Sequence, residues 1–330
     1  MSRINIGGQA VMEGVMMRNN DRYAVAVRKP DKQIEVKTNR CTGTSDRPAV
    51  CNLPIVRGVF SFVQSLTIGV KTLMYSAQFF EDEEEEAPKK EKKKKKEKTK
   101  EQESRAEKAE MAGTVTFSIV LAVGLFMLLP AWIASLLDAV IKSHVLIGLI
   151  EGVIRLAIFL GYVIAISRME DIKRTYMYHG AEHKTINCLE HGNELTVENV
   201  MQALRRTHDS YPENVMQASR FHKRCGTSFL FIVMIVSILV FMCITVDAMW
   251  LRLLLRVLLV PVIAGISYEF IRFAGNSESW IANLLSKPGL LIQRLTTKEP
   301  TEDMVEVAIA SVEAVLDWRA YLEEQAKSEK

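Results

Sequence analysis

The sequence predicts a mainly α-helical membrane protein with about four transmembrane helices in two pairs, a cytoplasmic helical region with a metal site and a small N-terminal β-hairpin. The first observation behind this prediction is a set of four apolar runs, residues 114–137, 144–166, 229–250 and 251–274. Each reaches the length of about 20 residues that a bilayer core requires, and buried helices of soluble proteins seldom run this long with so few charges. The second observation is a group of histidine, cysteine and glutamate residues between the two pairs of runs.

The N-terminal part of the chain is predicted to form a cytoplasmic segment, 1–52, and then an amphipathic helix, 53–80. Residues 22–28 and 33–37 are rich in β-branched and apolar side chains and flank a turn that contains proline, which predicts the β-hairpin. The segment that follows carries apolar residues at helical spacing, so it either lies along the membrane or re-enters it. Arg57 makes a lipid-facing span costly there.

The opening run, 7–18, is rich in glycine and carries an apolar strip that polar residues interrupt. Such a run is too short to span a membrane and needs close backbone packing. We expect either a loop packed against the body of the protein or a wall of the functional site, to which Glu13 and Arg18 would contribute.

A block of acidic residues followed by a lysine-rich run that begins at Lys89 and ends at Lys100 dominates residues 81–110. With almost no apolar residue and no aromatic residue, this stretch is predicted to be a disordered cytoplasmic linker. Its lysines either contact anionic lipid head groups or only keep the linker solvated. Because the run lacks aromatic residues between its charges, we expect no binding of nucleic acid.

The distribution of lysine and arginine predicts a multi-pass protein of the bacterial cytoplasmic membrane with both termini in the cytoplasm. Positive residues are concentrated before the first apolar run and after the second, whereas the turn between those runs carries only Lys142. The five cysteines fit a reducing compartment. The expected partners are the lipid bilayer and, as an option, further copies of the chain. The predicted order after the linker is a transmembrane pair (111–166), a cytoplasmic metal-site loop (167–228), a second pair (229–275) and a cytoplasmic C-terminal amphipathic helix (276–330).

The metal site is predicted from two short clusters of potential ligands. His179 and His183 lie four residues apart with Glu182 beside the second, so a helix places them on one side. The pattern H-x-x-E-H is that of inverted zinc hydrolases, in which the imidazoles hold the ion and the glutamate is the catalytic base. Further along the chain, His222 and Cys225 offer another imidazole and a thiolate. These residues predict a site for Zn²⁺ or another divalent transition metal; the alternative is a polar juxtamembrane helix and an inert buried cysteine.

Several other residues are predicted to support the site or to contact substrate. Glu269 lies about one turn from the cytoplasmic end of the fourth apolar run and either reaches the site or pairs with Arg272. Within the second run, Glu151 and Arg155 stand four residues apart and form either a structural ion pair or part of a path for substrate or protons. The remaining candidates are Glu13, Arg18, Lys184 and Arg224 beside the site, and Cys188 and His191 as reserve ligands.

The ordered set of motifs GGQAVMEGVMMR, VRG, HGAEHK, HxxCGTS and YE resembles the YqhQ-like family of bacterial proteins, over nearly the whole chain. The resemblance implies a multi-pass membrane protein from an uncharacterised group described as predicted metal-dependent enzymes. One departure from the family pattern is Lys223, at a position where proline is expected. The metal-site positions that the resemblance implies are His179, Glu182, His183, His222 and Cys225.

Two functions of different classes are compatible with these residues. In the first, the protein is a metal-dependent hydrolase that acts on a membrane-associated substrate, with Lys184 or Arg224 stabilising negative charge. In the second, Cys225 completes a closed tetrahedral shell, and the protein is a zinc-stapled scaffold or a lipid or solute transport protein without turnover. The sequence contains no nucleotide-binding glycine loop and no flavin or nicotinamide fingerprint.

Overall fold

The computed structural model describes residues 6–43, 48–80, 113–137, 140–202, 219–244, 246, 248–277 and 279–328. The charged linker 81–110, with its predicted lipid-contacting lysines, lies outside the described residues. The four strands are β1 (Ile6–Val11), β2 (Gly14–Asn19), β3 (Arg22–Arg28) and β4 (Ile34–Arg40). The described helices of six or more residues are α1 (Val56–Ala77), α2 (Gly113–Ser135), α3 (His144–Ile166), α4 (Glu170–Glu190), α5 (Val197–Gln202), α6 (Gly226–Met242), α7 (Met249–Asn276), α8 (Trp280–Thr296), α9 (Glu302–Glu313) and α10 (Trp318–Ser328).

The strands form one antiparallel sheet in the order β1-β2-β3-β4. The two central strands, β2 and β3, are buried on both faces, because successive side chains point in opposite directions and helices cover each face there, whereas β4 is mostly exposed. Val15 and Met17 face α4 and α9, whereas Met16 faces α1. A fully buried side chain of this kind contributes about 1.5–3 kcal/mol relative to an exposed one, so the sheet is held from both sides.

The predicted hairpin is therefore only half of the sheet. β3 and β4 confirm it, with Arg22 opposite Arg40. The opening run, which we expected to be a loop or a site wall, is not a loop: it forms β1 and β2 and pairs with β3. Its apolar residues do not alternate with polar ones because both faces of the sheet are covered, and this removes the period-two signal of a strand.

Helix α1 joins the sheet to the apolar helices. Its buried side includes Ile68, which packs with the sheet residues Val25 and Val27. The hydroxyl of Ser76 accepts a hydrogen bond from the backbone N–H of Met12 at 3.2 Å, which fixes the β1–β2 turn on the helix. The helical part of the prediction for 53–80 is confirmed.

Three described helices, α2, α3 and α7, are long and apolar enough to cross a membrane. The third predicted run behaves differently: α6 is apolar but has 17 residues, starting at Gly226 and ending at Met242. The chain leaves the helix before α7 begins, so the predicted boundary at residue 250 was wrong. Within α2, the segment Gly124–Leu128 has π-helical geometry, which frees backbone carbonyl groups from the regular α-helical pattern.

The C-terminal part contains three helices rather than the single amphipathic helix that we predicted. α8 packs against α6, and α9 packs against α4 and the sheet. The connection between them, residues 297–301, crosses α4 beside His179. The buried residues Met304 and Val305 of α9 complete the core on one face of the sheet.

Candidate metal centre

Helix α4 places the two predicted histidine ligands on one side, as their spacing requires. Glu170 and Asp171 lie in its first turn, where carboxylates favour the positive end of the helix dipole. The helix ends at Glu190, and Gly192 follows with a φ of 73°, a left-handed conformation that suits glycine. Between these ends, the rings of His179 and His183 have their centroids 4.4 Å apart.

Cys225 meets the two histidines from the start of α6. It is the N-cap residue of that helix, and its Sγ accepts a hydrogen bond from the backbone N–H of Thr227 at 3.4 Å. His179 Nε2 lies 3.2 Å from this Sγ. One ligand atom from each of His179, His183 and Cys225 lies within 4.8 Å of the others, so the structure brings three predicted ligands together.

Backbone carbonyl groups orient both imidazoles. His179 Nδ1 lies 2.8 Å from the carbonyl oxygen of Thr296, and His183 Nδ1 lies 2.6 Å from that of Arg220. Since a carbonyl oxygen only accepts, each Nδ1 carries a hydrogen, and in the neutral imidazole each Nε2 is left with a lone pair. This arrangement around the second nitrogen is typical of histidines that ligate metals.

Glu182 is buried beside the three ligands. One carboxylate oxygen accepts a hydrogen bond from the backbone of Gly8, where a Cβ atom would lie 2.8 Å from Glu182 Cγ. The other oxygen, Oε2, lies 4.0 Å from His179 Nε2 and has no hydrogen-bond partner among the described residues. Burial raises the pKa of Glu182. Glycine at position 8 therefore lets strand β1 close one side of the site.

The electrostatics of the cluster favour an ion pair between the thiolate of Cys225 and the imidazolium of His179. Burial opposes ionisation of Cys225, but the adjacent imidazoles of His179 and His183 hold the pKa of its thiol well below the usual value. Burial likewise lowers the pKa of His179, yet Cys225 and Glu182 outweigh it and raise that pKa to about 9. In this pair the thiolate is ready to bind a metal, whereas His179 Nε2 carries a proton that a metal ion would displace on binding.

His222, the fourth predicted ligand, lies beside this group rather than in it. Its ring centroid is 5.8 Å from that of His183, and its Nε2 is 3.4 Å from Glu190 Oε2. Burial lowers the pKa of His222. Gln293 of α8 holds the backbone here, accepting from the His222 N–H and donating to its carbonyl oxygen, both at 2.8 Å. Arg224 pairs with Glu190 as well.

Lys184 and Glu269, which we expected near the site, form ion pairs with other residues. The buried ammonium of Lys184 lies 3.1 Å from Glu299 Oε2, on the connection between α8 and α9. Glu269 makes a bidentate pair with Arg57, which links α7 to α1. Neither contact joins the described cluster of His179, His183 and Cys225.

Glu13 and Arg18, which we expected beside the site, also contact residues outside the cluster of His179, His183 and Cys225. Glu13 lies in the β1–β2 turn with a φ of 48° and pairs with Arg174, while the hydroxyl of Tyr178 donates to it at 3.3 Å. Arg18 Nη2 donates to Gln64 Oε1 at 2.7 Å. The first pair ties the turn to α4, so Glu13 supports the helix that carries the histidines.

The reserve ligands do not contribute ligand atoms to the cluster. Cys188 is buried in the core under the sheet, and burial raises the pKa of its thiol to about 12. His191 Nδ1 lies 2.7 Å from the carbonyl oxygen of Asn187 in its own helix. Both residues have a structural explanation without a metal.

Glu151 and Arg155 form a buried pair, and the structure adds a second arginine to it. Glu151 Oε1 accepts from Arg155 Nη2 at 2.5 Å, and its Oε2 accepts from Arg256 Nη2 of α7 at 2.7 Å. Arg155 Nε donates to the carbonyl oxygen of Phe126, in the π-helical segment of α2, at 2.9 Å. This network connects α2, α3 and α7.

Several residues that shape the site were not predicted. Gly8 belongs to the glycine-rich run for which close backbone packing was expected, but its contact with Glu182 was not predicted. Gln293 carried no recognisable pattern, and the backbone carbonyl groups of Thr296 and Arg220 leave no signal in the sequence. Glu190 could have been found, because it lies eleven residues after His179 on the same predicted helix, three turns along the same face.

Comparison with known proteins places the chain in a family. A family model described as "Protein of unknown function (DUF1385)" matches residues 53–211 and 202–318. The uncharacterised protein YqhQ of Bacillus subtilis (strain 168) is 33% identical over 332 residues, covering 97% of this chain and 95% of the relative. The chain therefore belongs to the DUF1385 family, and the predicted resemblance to YqhQ-like proteins is confirmed. No solved structure matches it.

Proposed function

We propose that this is an integral membrane protein with a zinc site at the cytoplasmic face, and that it acts as a metal-dependent hydrolase on a membrane-associated substrate. One observation carries the proposal: two imidazole nitrogens and one sulfur, of His179, His183 and Cys225, lie within 4.8 Å of one another in a buried place. Two nitrogens and one sulfur suit Zn²⁺ or a similar divalent transition metal. The fourth position of a tetrahedral shell is then open to water or substrate.

The donor set fits a metal on independent grounds. His183 is fully buried, yet its Nε2 has no hydrogen-bond partner among the described residues, and the same holds for Glu182 Oε2. Leaving a buried polar atom unsatisfied costs about 1–3 kcal/mol. A cation held by His179, His183 and Cys225 removes the cost at His183 and gives the carboxylate an opposite charge nearby.

Each residue has a defined chemical role in this proposal. A divalent metal supplies Lewis-acid polarisation and makes water more acidic. His179 and His183 hold their ligand nitrogens in place through the carbonyl groups of Thr296 and Arg220. Glu182 has a free carboxylate oxygen directed into the site, where it can take a proton from water and deliver it to a leaving group.

The position of the cluster supports a membrane-associated substrate. Cys225 lies immediately before α6, whose 17 residues are apolar. Together with α2, α3 and α7, which are long enough to cross a bilayer, this places the proposed site at the end of the apolar helices. The excess of lysine and arginine in the segments before α2 and after α3 favours the cytoplasm for that end.

The zinc-stapled scaffold is the second candidate, and one observation favours it. Glu182 is only 4% exposed, so its free oxygen can complete the shell as a fourth protein ligand. A closed shell of two histidines, one cysteine and one glutamate has no place for substrate. The protein would then be held together by the metal and would have no turnover.

Glu182→Gln separates the two candidates. We expect about one zinc per chain in detergent-purified protein by elemental mass spectrometry. In the hydrolase, Glu182→Gln keeps the zinc and the thermal midpoint but loses activity in a screen of lipid and peptide hydrolysis. In the scaffold, the same variant loses both zinc and stability.

His183→Ala is expected to lose the metal in either case, and His191→Ala is the matched control because its ring bonds to the Asn187 carbonyl of its own helix and lies outside the cluster. Absence of zinc from the wild-type protein after zinc is supplied, or retention of zinc by His183→Ala, contradicts both candidates.

A further inference from the structure

A second polar site lies at the other end of the apolar helices. Cys225 is the N-cap residue of α6. At the opposite end of this helix, Phe241 and Ile244 line a cavity of about 350 Å³. Sixteen residues of helix separate Cys225 from Phe241, which corresponds to about 24 Å. The cavity is thus distinct from the proposed metal centre.

The described lining of this cavity is basic. Lys142, Arg252 and Arg256 face it, and Glu151 is the acidic residue among the described residues that line it. Two further aspartates, Asp138 and Asp247, belong to stretches outside the described residues. Apolar and basic walls together suit a ligand with an anionic group and a less polar remainder.

The carboxylate of Glu151 is already shared between two arginines. Its two oxygens accept from Arg155 and Arg256, so one negative charge faces two guanidinium groups in a buried network. Both guanidinium groups also stack near the ring of Phe241, at 5.1 Å from its centroid. Among the residues that the structure describes, the network of Glu151, Arg155 and Arg256 therefore has a net charge of +1.

The guanidinium group of Arg256 has one N–H group, at Nε, without an acceptor among the described residues. The residue is 4% exposed, and its Nε has no hydrogen-bond partner among the described residues. A buried donor of this kind is costly unless a ligand or an ion satisfies it. Guanidinium groups pair especially well with phosphate, because two parallel N–H groups match two oxygens.

We propose that this cavity binds a phosphate-bearing anion through Arg256 and Arg252, with Lys142 at its mouth. The phosphate belongs either to an anionic lipid head group that enters from the bilayer or to a soluble phosphate compound. Ile147 and Phe241 form an apolar wall that accommodates the carbon portion of either ligand. Glu151 holds Arg155 and Arg256 in place and does not contact the ligand in this proposal.

Two binding assays on the full-length protein distinguish the sources. In the first, protein in a neutral detergent is titrated with inorganic phosphate by isothermal calorimetry. In the second, protein in phosphatidylcholine bilayers is probed with spin-labelled phosphatidylglycerol and spin-labelled phosphatidylcholine. Saturable phosphate binding without lipid selectivity indicates a soluble ligand, and selective retention of phosphatidylglycerol indicates a lipid ligand.

Arg252→Gln and Arg256→Gln test the residues, and each is expected to weaken the binding at least tenfold. Arg252 is less buried than Arg256, so its variant keeps the test decisive if Arg256→Gln fails to fold. Arg272→Gln removes the same charge from an exposed position of the same helix, twenty residues from Arg252, and should bind like the wild type. The proposal is overturned if neither ligand binds, or if Arg252→Gln and Arg272→Gln bind equally well.

Discussion

Gly180→Ala perturbs the contact that orients the histidine ligand His179. At Gly180 an added Cβ would lie 1.9 Å from the carbonyl oxygen of Lys298, and 3.4 Å from Pro300. Because a carbon and an oxygen atom in ordinary contact are about 3.4 Å apart, helix α4 and the connection after α8 must separate by about 1.5 Å. The connection starts directly after Thr296, whose carbonyl group receives the hydrogen bond of His179.

The expected loss of stability follows from three contributions. Overpacking against a backbone atom costs about 1–3 kcal/mol. The hydrogen bond from the Lys298 N–H to the Tyr176 carbonyl, 2.8 Å in the structure, is broken and adds about 1 kcal/mol. The higher helix propensity of alanine stabilises the folded state by about 1 kcal/mol and offsets part of this loss. The net decrease in the free energy of unfolding is about 1–3 kcal/mol, and the displaced Thr296 should lower zinc affinity by about 10–100-fold.

Gly161→Ala is the matched control. Gly161 lies in α3, and a Cβ atom there has no neighbour within 4 Å among the described residues, so the variant should be neutral or slightly stabilised. Thermal unfolding in detergent and competition for zinc with a chelating dye measure both effects. The reasoning is refuted if Gly180→Ala unfolds at the same temperature as Gly161→Ala and binds zinc equally tightly.

Three further predictions concern other parts of the molecule. Glu151→Gln leaves two buried arginines without their carboxylate and should destabilise the protein by about 3–5 kcal/mol, seen as a lower thermal midpoint; an unchanged midpoint would contradict the ion network. In chelator-treated protein, iodoacetamide should alkylate Cys225 well below pH 9, because its depressed pKa keeps it a thiolate there, while Cys188, with a pKa of about 12, stays unreactive. His179→Ala should shift the Cys225 alkylation profile to higher pH, and an unchanged profile would argue against their pairing. Glu269→Gln should leave the zinc content unchanged, since the carboxylate of Glu269 pairs with Arg57 outside the cluster. Loss of zinc would instead support the predicted role of Glu269 at the metal site.

The helical side of the site was predictable because it depends on local spacing. His179 and His183 lie four residues apart, and any helix brings them to one side. The thiol of Cys225 was predictable in kind. Only the tertiary structure, which brings the residue before α6 to the histidines of α4, decides that Cys225 rather than His222 approaches both rings. Sequence spacing alone treats these two residues as equivalent.

The sheet was harder to predict than the helices. β3 and β4 flank a clear turn, but β1 and β2 are covered on both faces and therefore lack alternation. The role of Gly8 is equally invisible, because it follows from the approach of β1 to Glu182, far away in the sequence. Contacts to backbone carbonyl groups, such as the one at Thr296, depend entirely on tertiary structure.

The central claim is the ligand set of His179, His183 and Cys225. X-ray absorption spectroscopy of the zinc-loaded protein tests it most directly. We expect one sulfur at about 2.3 Å and nitrogen or oxygen at about 2.0 Å from zinc, with the sulfur contribution lost in Cys225→Ala. A spectrum without sulfur, or one that Cys225→Ala leaves unchanged, would contradict the claim.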